Sequence, residues 1–279
     1  MHFNNSRIQA YHRCPRFYYY RFIENLVPNR EAVPLLVGRA VHRGLAAHYL
    51  GLGRAEVGAQ VSAAFDESRG QHSWLQAELD ELKQQEAYSK QILVWYTDHY
   101  ASEAWTPLAP EVRGSVPMGS HVFFFQADGV VSWRGYPWLL ETKTTSQLGS
   151  TFFRKFFMDA QPKLYIYAIG VHMNMAPKGV IINAIKKARN LDKVEFAREV
   201  IMPTDSQIKE CVDQTIRQAD IIDALTTAHD REAFLMHFGE CIRYNRTCDY
   251  FEMCQGIVID QAALFKQREP DYTELEEDT

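Results

Sequence analysis

Two acids and a lysine in the middle of the chain have spacings that suit phosphodiester hydrolysis. Asp128 lies on one predicted strand, and Glu141 and Lys143 lie on the next. The polar pair Arg134-Gly135 between the strands suits a two-residue hairpin turn, which would place Asp128 opposite Glu141. Because side chains alternate along a strand, Glu141 and Lys143 share a face. Carboxylates suit Mg²⁺ or Mn²⁺, and a lysine can orient or deprotonate the attacking water.

This prediction depends on the length of the turn and on burial. A three-residue turn would shift the pairing by one residue and spoil the alignment of the acids. A glutamate and a lysine two positions apart also occur on exposed strands, where they form ordinary salt bridges. The apolar run Trp138–Leu140 indicates burial instead, and buried charges need a metal ion or ion pairs.

Three further polar residues lie on predicted helices. His42 shares a helix face with Gly38 and Leu45, so it is either a core histidine or a metal ligand. Gln161 and Tyr165 are four positions apart, and both point the same way from a later helix. By spacing alone, ordinary helix packing is the simpler explanation for this pair.

The cysteines form a second constellation. Cys241, Cys248 and Cys254 have the spacing C-x6-C-x5-C, and Cys14 lies near the other end of the chain. Cys211 stands apart. Thiols buried as small hydrophobic groups are one explanation. Zinc sites prefer C-x2-4-C pairs, which this sequence lacks, so an iron–sulfur cluster with four thiolates fits better. Such a cluster would tie the two ends together, and the aromatic run at residues 17–22 would pack around it or stack on bases.

The composition indicates a globular protein. The 279 residues can bury a full core, and we expect a single domain over residues 1–268. Hydrophobic residues make up 46% of the chain, but no run approaches the ~20 apolar residues of a membrane span. The N-terminus lacks the apolar core of a signal peptide. We therefore predict a cytoplasmic protein whose five cysteines stay reduced.

The net charge of -5 is concentrated at one end. Residues 269–279 hold six acids and no base, which predicts a disordered acidic tail. Without the tail, 30 basic residues face 29 acidic ones. Six of the arginines in the first fifth of the chain could form a positive strip for phosphates, or could simply be solvated on the surface. They are Arg13, Arg16, Arg21, Arg30, Arg39 and Arg43.

The order of the predicted elements indicates the fold class. Helices are predicted at about 6–13, 36–50, 55–68, 74–102, 152–158, 161–173 and 204–228, with Ser6 and Thr204 as N-caps. Strands are predicted at about 111–116, 121–132, 137–144, 179–186 and 194–202. This order indicates an α/β fold with a helical part at about 36–105 and a sheet core at about 108–202, flanked by helices.

Together, these residues resemble the PD-(D/E)XK nuclease superfamily, specifically its RecB-like branch with an iron–sulfur cluster. The similarity covers most of the chain. It comprises, in the family's order, Cys14-Pro15, Gly38-x3-His42, Asp128, Glu141-x-Lys143, Gln161-x3-Tyr165 and the three C-terminal cysteines. The resemblance implies a restriction-endonuclease-like mixed central sheet, with an N-terminal helical region and cluster-binding ends around residues 14 and 241–254.

The resemblance also implies roles for individual residues. His42, Asp128, Glu141 and the Thr142 carbonyl would bind Mg²⁺ or Mn²⁺. Lys143 would act on the water, and Gln161 and Tyr165 would position phosphate or water. Cys14, Cys241, Cys248 and Cys254 would hold a [4Fe-4S] cluster.

Two positions depart from the family pattern. Gln126 stands where many relatives have a glycine, two residues before the aspartate. The C-x6-C spacing is longer than the C-x2-C of many CRISPR-associated members and looks more like the phage-type proteins. Glu111, on the preceding predicted strand, is a candidate for a supporting or second-metal acid.

The function implied is a metal-dependent DNA exonuclease that acts on single-stranded ends in recombination, repair or replication. Its partners would be DNA and a helicase or recombination protein, with no membrane. One alternative is a DNA-end-binding or helicase-partner module in which an iron–sulfur cluster is structural and cleavage is weak or absent. Another alternative is a structural protein that binds zinc.

Overall fold

The computed structural model describes residues 1–72, 74–149, 151–188, 193–228, 230–243, 245–257 and 260–268. Its helices are α1 (Asn5–Arg13), α2 (Pro15–Tyr18), α3 (Val33–Tyr49), α4 (Arg54–Gln71), α5 (Gln76–His99), α6 (Arg154–Met158), α7 (Ala160–His172), α8 (Asp205–Thr227), α9 (Phe251–Cys254) and α10 (Gln261–Leu264). A π-helical turn, Tyr19–Ile23, follows α2. The predicted acidic tail at residues 269–279 lies outside the described residues.

The strands include the five that the sequence predicts and several short ones. They are β1 (His2–Phe3), β2 (Leu26–Pro28), β3 (Thr106–Met118), β4 (His121–Trp133), β5 (Tyr136–Thr145), β6 (Val180–Lys186), β7 (Glu195–Ile201), β8 (Ile242–Arg243), β9 (Arg246–Thr247) and β10 (Phe265–Gln267). None of the helices within the described ranges is long and apolar enough to cross a membrane.

The two predicted helix caps have different outcomes. The prediction of Ser6 as the N-cap of α1 was wrong, because Asn4 accepts the Arg7 N–H at 3.0 Å and Ser6 lies inside the helix. Asparagine caps a helix as well as serine does, and here Asn4, which precedes Ser6, is the residue at which α1 is capped. The cap at Thr204 is confirmed, since its hydroxyl accepts the Gln207 N–H at 3.2 Å.

The chain divides into two compact units. The terminal unit comprises Met1–Asn29, Gly114–Phe125 and the described residues of Lys209–Thr279. Within it, β1 pairs in parallel with the start of β4, β2 pairs with β10, and β8 pairs with β9. The central unit comprises Arg30–Arg113 and Gln126–Ile208. The single domain over residues 1–268 stays a prediction.

The central unit contains a mixed sheet, as predicted. Its strands follow the order β4-β5-β6-β7, with β3 paired to β4. The pair β5 and β6 is parallel, while β4 with β5 and β6 with β7 are antiparallel. Helices α3, α4 and α5 bury an apolar cluster against this sheet, to which β6 contributes Ile185 and β7 contributes Phe196. Helix α7 packs against β5. The α/β fold with a mixed sheet flanked by helices is therefore confirmed.

The hairpin of β4 and β5 has the predicted two-residue turn. Arg134 and Gly135 have positive φ angles of 52° and 81°, as a tight turn between right-twisted strands requires. The pairing runs from Trp133↔Tyr136 to Gly129↔Leu140. If this register continued by one residue, Asp128 would lie opposite Glu141. The predicted alignment is therefore confirmed as far as the Gly129↔Leu140 pair.

A buried polar network holds β5 in place behind the site. The Asn183 amide donates to the Thr142 hydroxyl at 3.2 Å and accepts from Arg198 at 3.1 Å. Arg198 also donates to both carboxylate oxygens of Glu103, at 2.7 and 2.8 Å, and to the Tyr96 hydroxyl at 2.7 Å. Burial makes each of these bonds costly to break without replacement. The network therefore links β5, β6 and β7 to α5.

We expect Arg198→Met to destabilise the protein by about 3–5 kcal/mol, because it leaves Glu103 as an unpaired charge that is only 17% exposed. The matched control is Lys186→Met, which breaks the exposed ion pair between Lys186 on β6 and Glu195 on β7. Glu195 is 52% exposed, so that change should cost less than about 1 kcal/mol. Denaturant unfolding measures both, and equal losses would contradict the structural role of Arg198.

Candidate functional site

Asp128 lies just beyond the last recorded pair of the β4–β5 ladder. Its Oδ2 accepts the Thr142 N–H at 2.6 Å, taking the place of a strand partner. Its Oδ1 lies 2.8 Å from Nδ1 of His42, which α3 brings to the sheet. The hairpin and the helix thus bring together Asp128, Thr142 and His42, three residues that the sequence predicts for one site.

Glu141 and Lys143 lie on the next strand, two positions apart. Glu141 is only 3% exposed. The Lys143 ammonium donates to the Glu141 carboxylate at 2.6 Å and to the Gln161 side-chain oxygen at 2.8 Å. Gln161 is placed by the start of α7, where Asp159 caps the helix by accepting the Gln161 N–H at 3.0 Å. Tyr165, one turn later, is buried and hydrogen-bonds to Gln161.

The two acids have opposite electrostatic environments. Burial and the nearby Asp128 raise the pKa of Glu141 to about 7, even though Lys143 opposes that shift. Burial also acts to raise the pKa of Asp128, but the charge and hydrogen bond of His42 and the Thr142 N–H bring it below its ordinary value. Asp128 in turn raises the pKa of His42 against the effect of burial. One acid is therefore held as a carboxylate, while the other titrates near neutral pH.

Lys143 favours its charged form. Burial acts to lower its pKa, but the Glu141 carboxylate raises it above the ordinary value. A protonated lysine has three N–H donors, and two of them serve Glu141 and Gln161. The third can reach a ligand.

The donor types at the site suit a hard divalent cation. The predicted ligands comprise carboxylates, a backbone carbonyl and an imidazole, and the raised pKa of Glu141 signals a need for positive charge that such an ion would meet. Across the described part of the chain, however, no three His, Cys, Asp or Glu side chains are grouped closely enough to hold a metal ion. His42 and Lys143 neutralise the acids instead. The ligand set of His42, Asp128, Glu141 and Thr142 stays a prediction.

A cavity of about 350 Å³, called here the Asp128 cavity, opens beside these residues. Asp128, His42 and Thr142 line it together with charged residues from α3, α4 and β3, namely Arg39, Arg43, Glu67, Glu111 and Arg113. Its volume falls within the range of about 300–1,000 Å³ that is common for ligand sites. Glu111 accepts from Arg113 at 2.6 Å and from Gln126 at 2.8 Å, so here it is an ion-pair partner rather than part of a metal group.

Several residues that support the site were not predicted. Asn183 and Arg198 fix the strand that carries Thr142, and Arg113 lines the cavity. Arg198 gave no signal in the sequence, because its strand also contains the charged residues Glu195 and Glu199. Asp159 was recognisable, since an acid directly before a helical pattern is a common N-cap.

Four of the five cysteines line one narrow cavity in the terminal unit. Cys14, Cys241, Cys248 and Cys254 all contribute to this space of about 20 Å³, and Cys211 lies elsewhere, on α8. Burial raises the pKa of Cys254 to about 11, with the Cys248 thiol adding to the effect. Within the described residues, these thiols are not grouped closely enough to hold a metal ion. The structure thus brings together the predicted thiols without arranging them around an ion.

The aromatic run beside Cys14 belongs to the core of the terminal unit. Phe17, Tyr18, Tyr20 and Phe22 are buried. Tyr18 stacks on Phe234, with ring centres 6.1 Å apart. Packing, rather than base stacking, is therefore the role of these buried rings.

Comparison with known proteins agrees with the geometry. The sequence pattern of the PD-(D/E)XK nuclease superfamily matches residues 2–255, so the chain belongs to this superfamily, and the membership supports a nuclease. The fold is similar to a crystal structure from Eubacterium rectale that is named provisionally as an exonuclease. The TM-score is 0.56 and the identity is 12%, over 96% of this chain and 91% of that one.

A second solved structure is more distant. LHK-Exo, in complex with dAMP, is similar at 13% identity and a TM-score of 0.30, over 70% of this chain and 96% of that one. No curated protein matches this chain. At these identities, the solved structures show the fold alone.

We expect Glu141→Gln to stabilise the metal-free protein above neutral pH. The pKa of Glu141 is about 7 in the folded state and near 4.5 when unfolded, so ionisation favours unfolding. Below pH 4.5 the variant and the wild type should have similar pH dependence. Between pH 4.5 and 7 the wild type should lose stability relative to the variant, by on the order of 1–3 kcal/mol. Denaturant unfolding in EDTA across this range measures the difference.

The matched control is Glu86→Gln, for which we expect a change in stability of the opposite sign. Burial acts to raise the pKa of Glu86, but hydrogen bonds from Lys90, Arg69 and Ser62 lower it to about 2. Glu86 therefore stabilises the fold above pH 4.5, and that contribution is lost as the pH falls towards 2. Glu86→Gln should lower stability at neutral pH. If both variants shifted in the same direction at pH 8, the environment assigned to Glu141 would be wrong.

Proposed function

We propose that this protein is a metal-dependent DNA exonuclease, which hydrolyses phosphodiester bonds at single-stranded ends. The observation that carries the proposal is the position of the Lys143 ammonium. It is held by Gln161 and by the buried acid Glu141, which lies two residues earlier on the same strand. Membership of the superfamily supports it, as does the provisional exonuclease name of the fold neighbour from Eubacterium rectale. The expected setting is recombination, repair or replication of phage or bacterial DNA.

In this proposal His42, Asp128, Glu141 and the Thr142 carbonyl hold Mg²⁺ or Mn²⁺, which would lower the pKa of a water and polarise the scissile phosphate. Lys143, protonated as its raised pKa favours, orients the water and stabilises charge on the phosphate rather than removing a proton. Without the metal ion the pKa of Glu141 is about 7, and the positive charge of a bound cation would favour its ionised form. Gln161 fixes Lys143, and Tyr165 supports Gln161.

We expect Lys143→Ala to abolish cleavage while DNA binding stays largely unchanged, because the lysine acts on the reacting groups and contributes little to overall attachment. The assay uses end-labelled single- and double-stranded DNA, linear and circular, with Mg²⁺ or Mn²⁺. EDTA should have the same effect on the wild type. Lys186→Ala is the control, since it removes a lysine from the neighbouring strand that pairs with Glu195.

The same assay separates the alternatives. A Lys143→Ala variant that cuts at the wild-type rate would remove the site assignment. A wild type that binds strand ends but cuts no substrate would favour the end-binding or helicase-partner module. Cutting of circular DNA would indicate an endonuclease.

We also propose that Cys14, Cys241, Cys248 and Cys254 bind a [4Fe-4S] cluster, as in the RecB-like branch. Two features support this. The four thiols come from both ends of the chain to one cavity, and burial raises the pKa of Cys248 and Cys254, a cost that bound iron would offset. Because such binding contributes to folding, the cluster would stabilise the terminal unit. Reduced cysteines also fit the expected cytoplasmic location.

Protein purified anaerobically should contain iron and acid-labile sulfide. Cys248→Ser should lose both and lower the melting temperature, because one of four ligands is gone and the ends of the chain are no longer joined. Cys211→Ser is the matched control and should retain iron, since Cys211 lies outside the cysteine cavity. A colourless protein that contains zinc and no iron would support the zinc-binding alternative instead.

A further inference from the structure

The arginines of the central unit form two kinds of ion pair, which differ in exposure. Arg198 and Glu103 are 15% and 17% exposed, and their pair is part of the buried network behind β5. Arg43 and Glu67 are 39% and 34% exposed, with 2.8 Å between their closest atoms. An exposed pair is worth only about 0–1 kcal/mol, so its carboxylate can be replaced by another anion. A buried pair does not exchange in this way.

The exposed pairs lie where a substrate would have to bind. Arg43 follows His42 directly on α3, and both line the Asp128 cavity. Arg113 lines the same cavity from β3 and is 51% exposed, while its partner Glu111 is 34% exposed. Arg39 also contributes, but it contacts both Glu31 and Glu67. Among the arginines that line this cavity, Arg43 and Arg113 are therefore the two whose guanidinium groups separate most easily from their carboxylate partners.

We propose that the Asp128 cavity is a binding site for a backbone phosphate of the DNA strand, in which Arg43 and Arg113 exchange their carboxylate partners for the phosphate. This inference rests on the nuclease function proposed above and adds the subsite that holds the strand beside the reacting bond. The guanidinium fork matches two phosphate oxygens as well as it matches a carboxylate. Glu67 and Glu111 occupy the arginines until the strand arrives.

The exchange makes a prediction that a structural ion pair does not. Arg43→Ala should weaken DNA binding about tenfold, since a charge-assisted contact is lost. Glu67→Gln should tighten binding severalfold, because the competing carboxylate loses its charge while the side chain keeps its shape. If the pair only stabilised the helices, both variants would weaken binding or neither would change it.

The measurement is fluorescence anisotropy of a labelled single-stranded DNA with Mg²⁺, in the Lys143→Ala background, so that binding is read without cleavage. Arg43→Ala and Arg113→Ala should each reduce the salt dependence of log K by about 0.7 per lost phosphate contact. Arg54→Ala is the matched control, because Arg54 pairs with Asp98 on the exposed surface outside the cavity. Melting curves confirm that each variant is folded.

The outcomes distinguish this inference from the function on which it rests. Opposite shifts for Arg43→Ala and Glu67→Gln, with no change for Arg54→Ala, would support the phosphate subsite even if the wild type cut no DNA. Unchanged binding in the folded Arg43→Ala and Arg113→Ala variants would overturn the subsite, even if the wild type cleaves normally. Equal weakening by Arg43→Ala and Arg54→Ala would show attraction by total charge alone and would also overturn it.

Discussion

The central unit is organised around two carboxylates at the end of one strand ladder, of which Glu141 is buried and Asp128 is partly buried. Burial alone would favour the neutral form of both Asp128 and Glu141, because a low dielectric penalises charge. Each acid instead has a basic partner. His42, from α3, contacts Asp128, and Lys143 contacts Glu141 on the same strand, β5. The two pKa values separate because Asp128 also accepts the Thr142 N–H, whereas the pKa of Glu141 is raised by its burial and by the charge of Asp128. A site with one fixed carboxylate and one titratable acid results from that asymmetry.

The surrounding fold can be understood as the support for this arrangement. Helix α3 must lie close enough to the sheet to place His42, and the apolar cluster it shares with α4 and α5 holds it there. Helix α7 must begin at a fixed point, which its Asp159 cap provides. Thr142 needs a rigid strand, and Asn183 and Arg198 supply this through hydrogen bonds rather than apolar contact. Polar bonds have directional geometry, so they fix the strand more closely than apolar packing would.

What the sequence predicts well is local, and what it misses is long-range. The turn at Arg134-Gly135 set the hairpin register correctly, because turn chemistry depends on adjacent residues. The Asn183–Arg198 pairing escaped prediction, since it depends on the register between β6 and β7. The Ser6 cap was wrong because Asn4, Asn5 and Ser6 are three consecutive residues of capping types, and the first of them caps the helix. Cysteine spacing predicted an iron–sulfur cluster; the four thiols do line one cavity, but the cluster stays a prediction, since spacing carries no interatomic distances.

The charge balance explains why a DNA-binding site here would rely on exchange rather than on a strongly positive surface. The chain is acidic overall, at -5, so long-range attraction of DNA is weak. Three arginines and three carboxylates line the described wall of the Asp128 cavity, which leaves it close to neutral when His42 is uncharged. Unpaired arginines would attract any anion. Arginines held by half-exposed acids favour a ligand that also contacts the rest of the site, so pairing within the cavity favours selectivity over affinity.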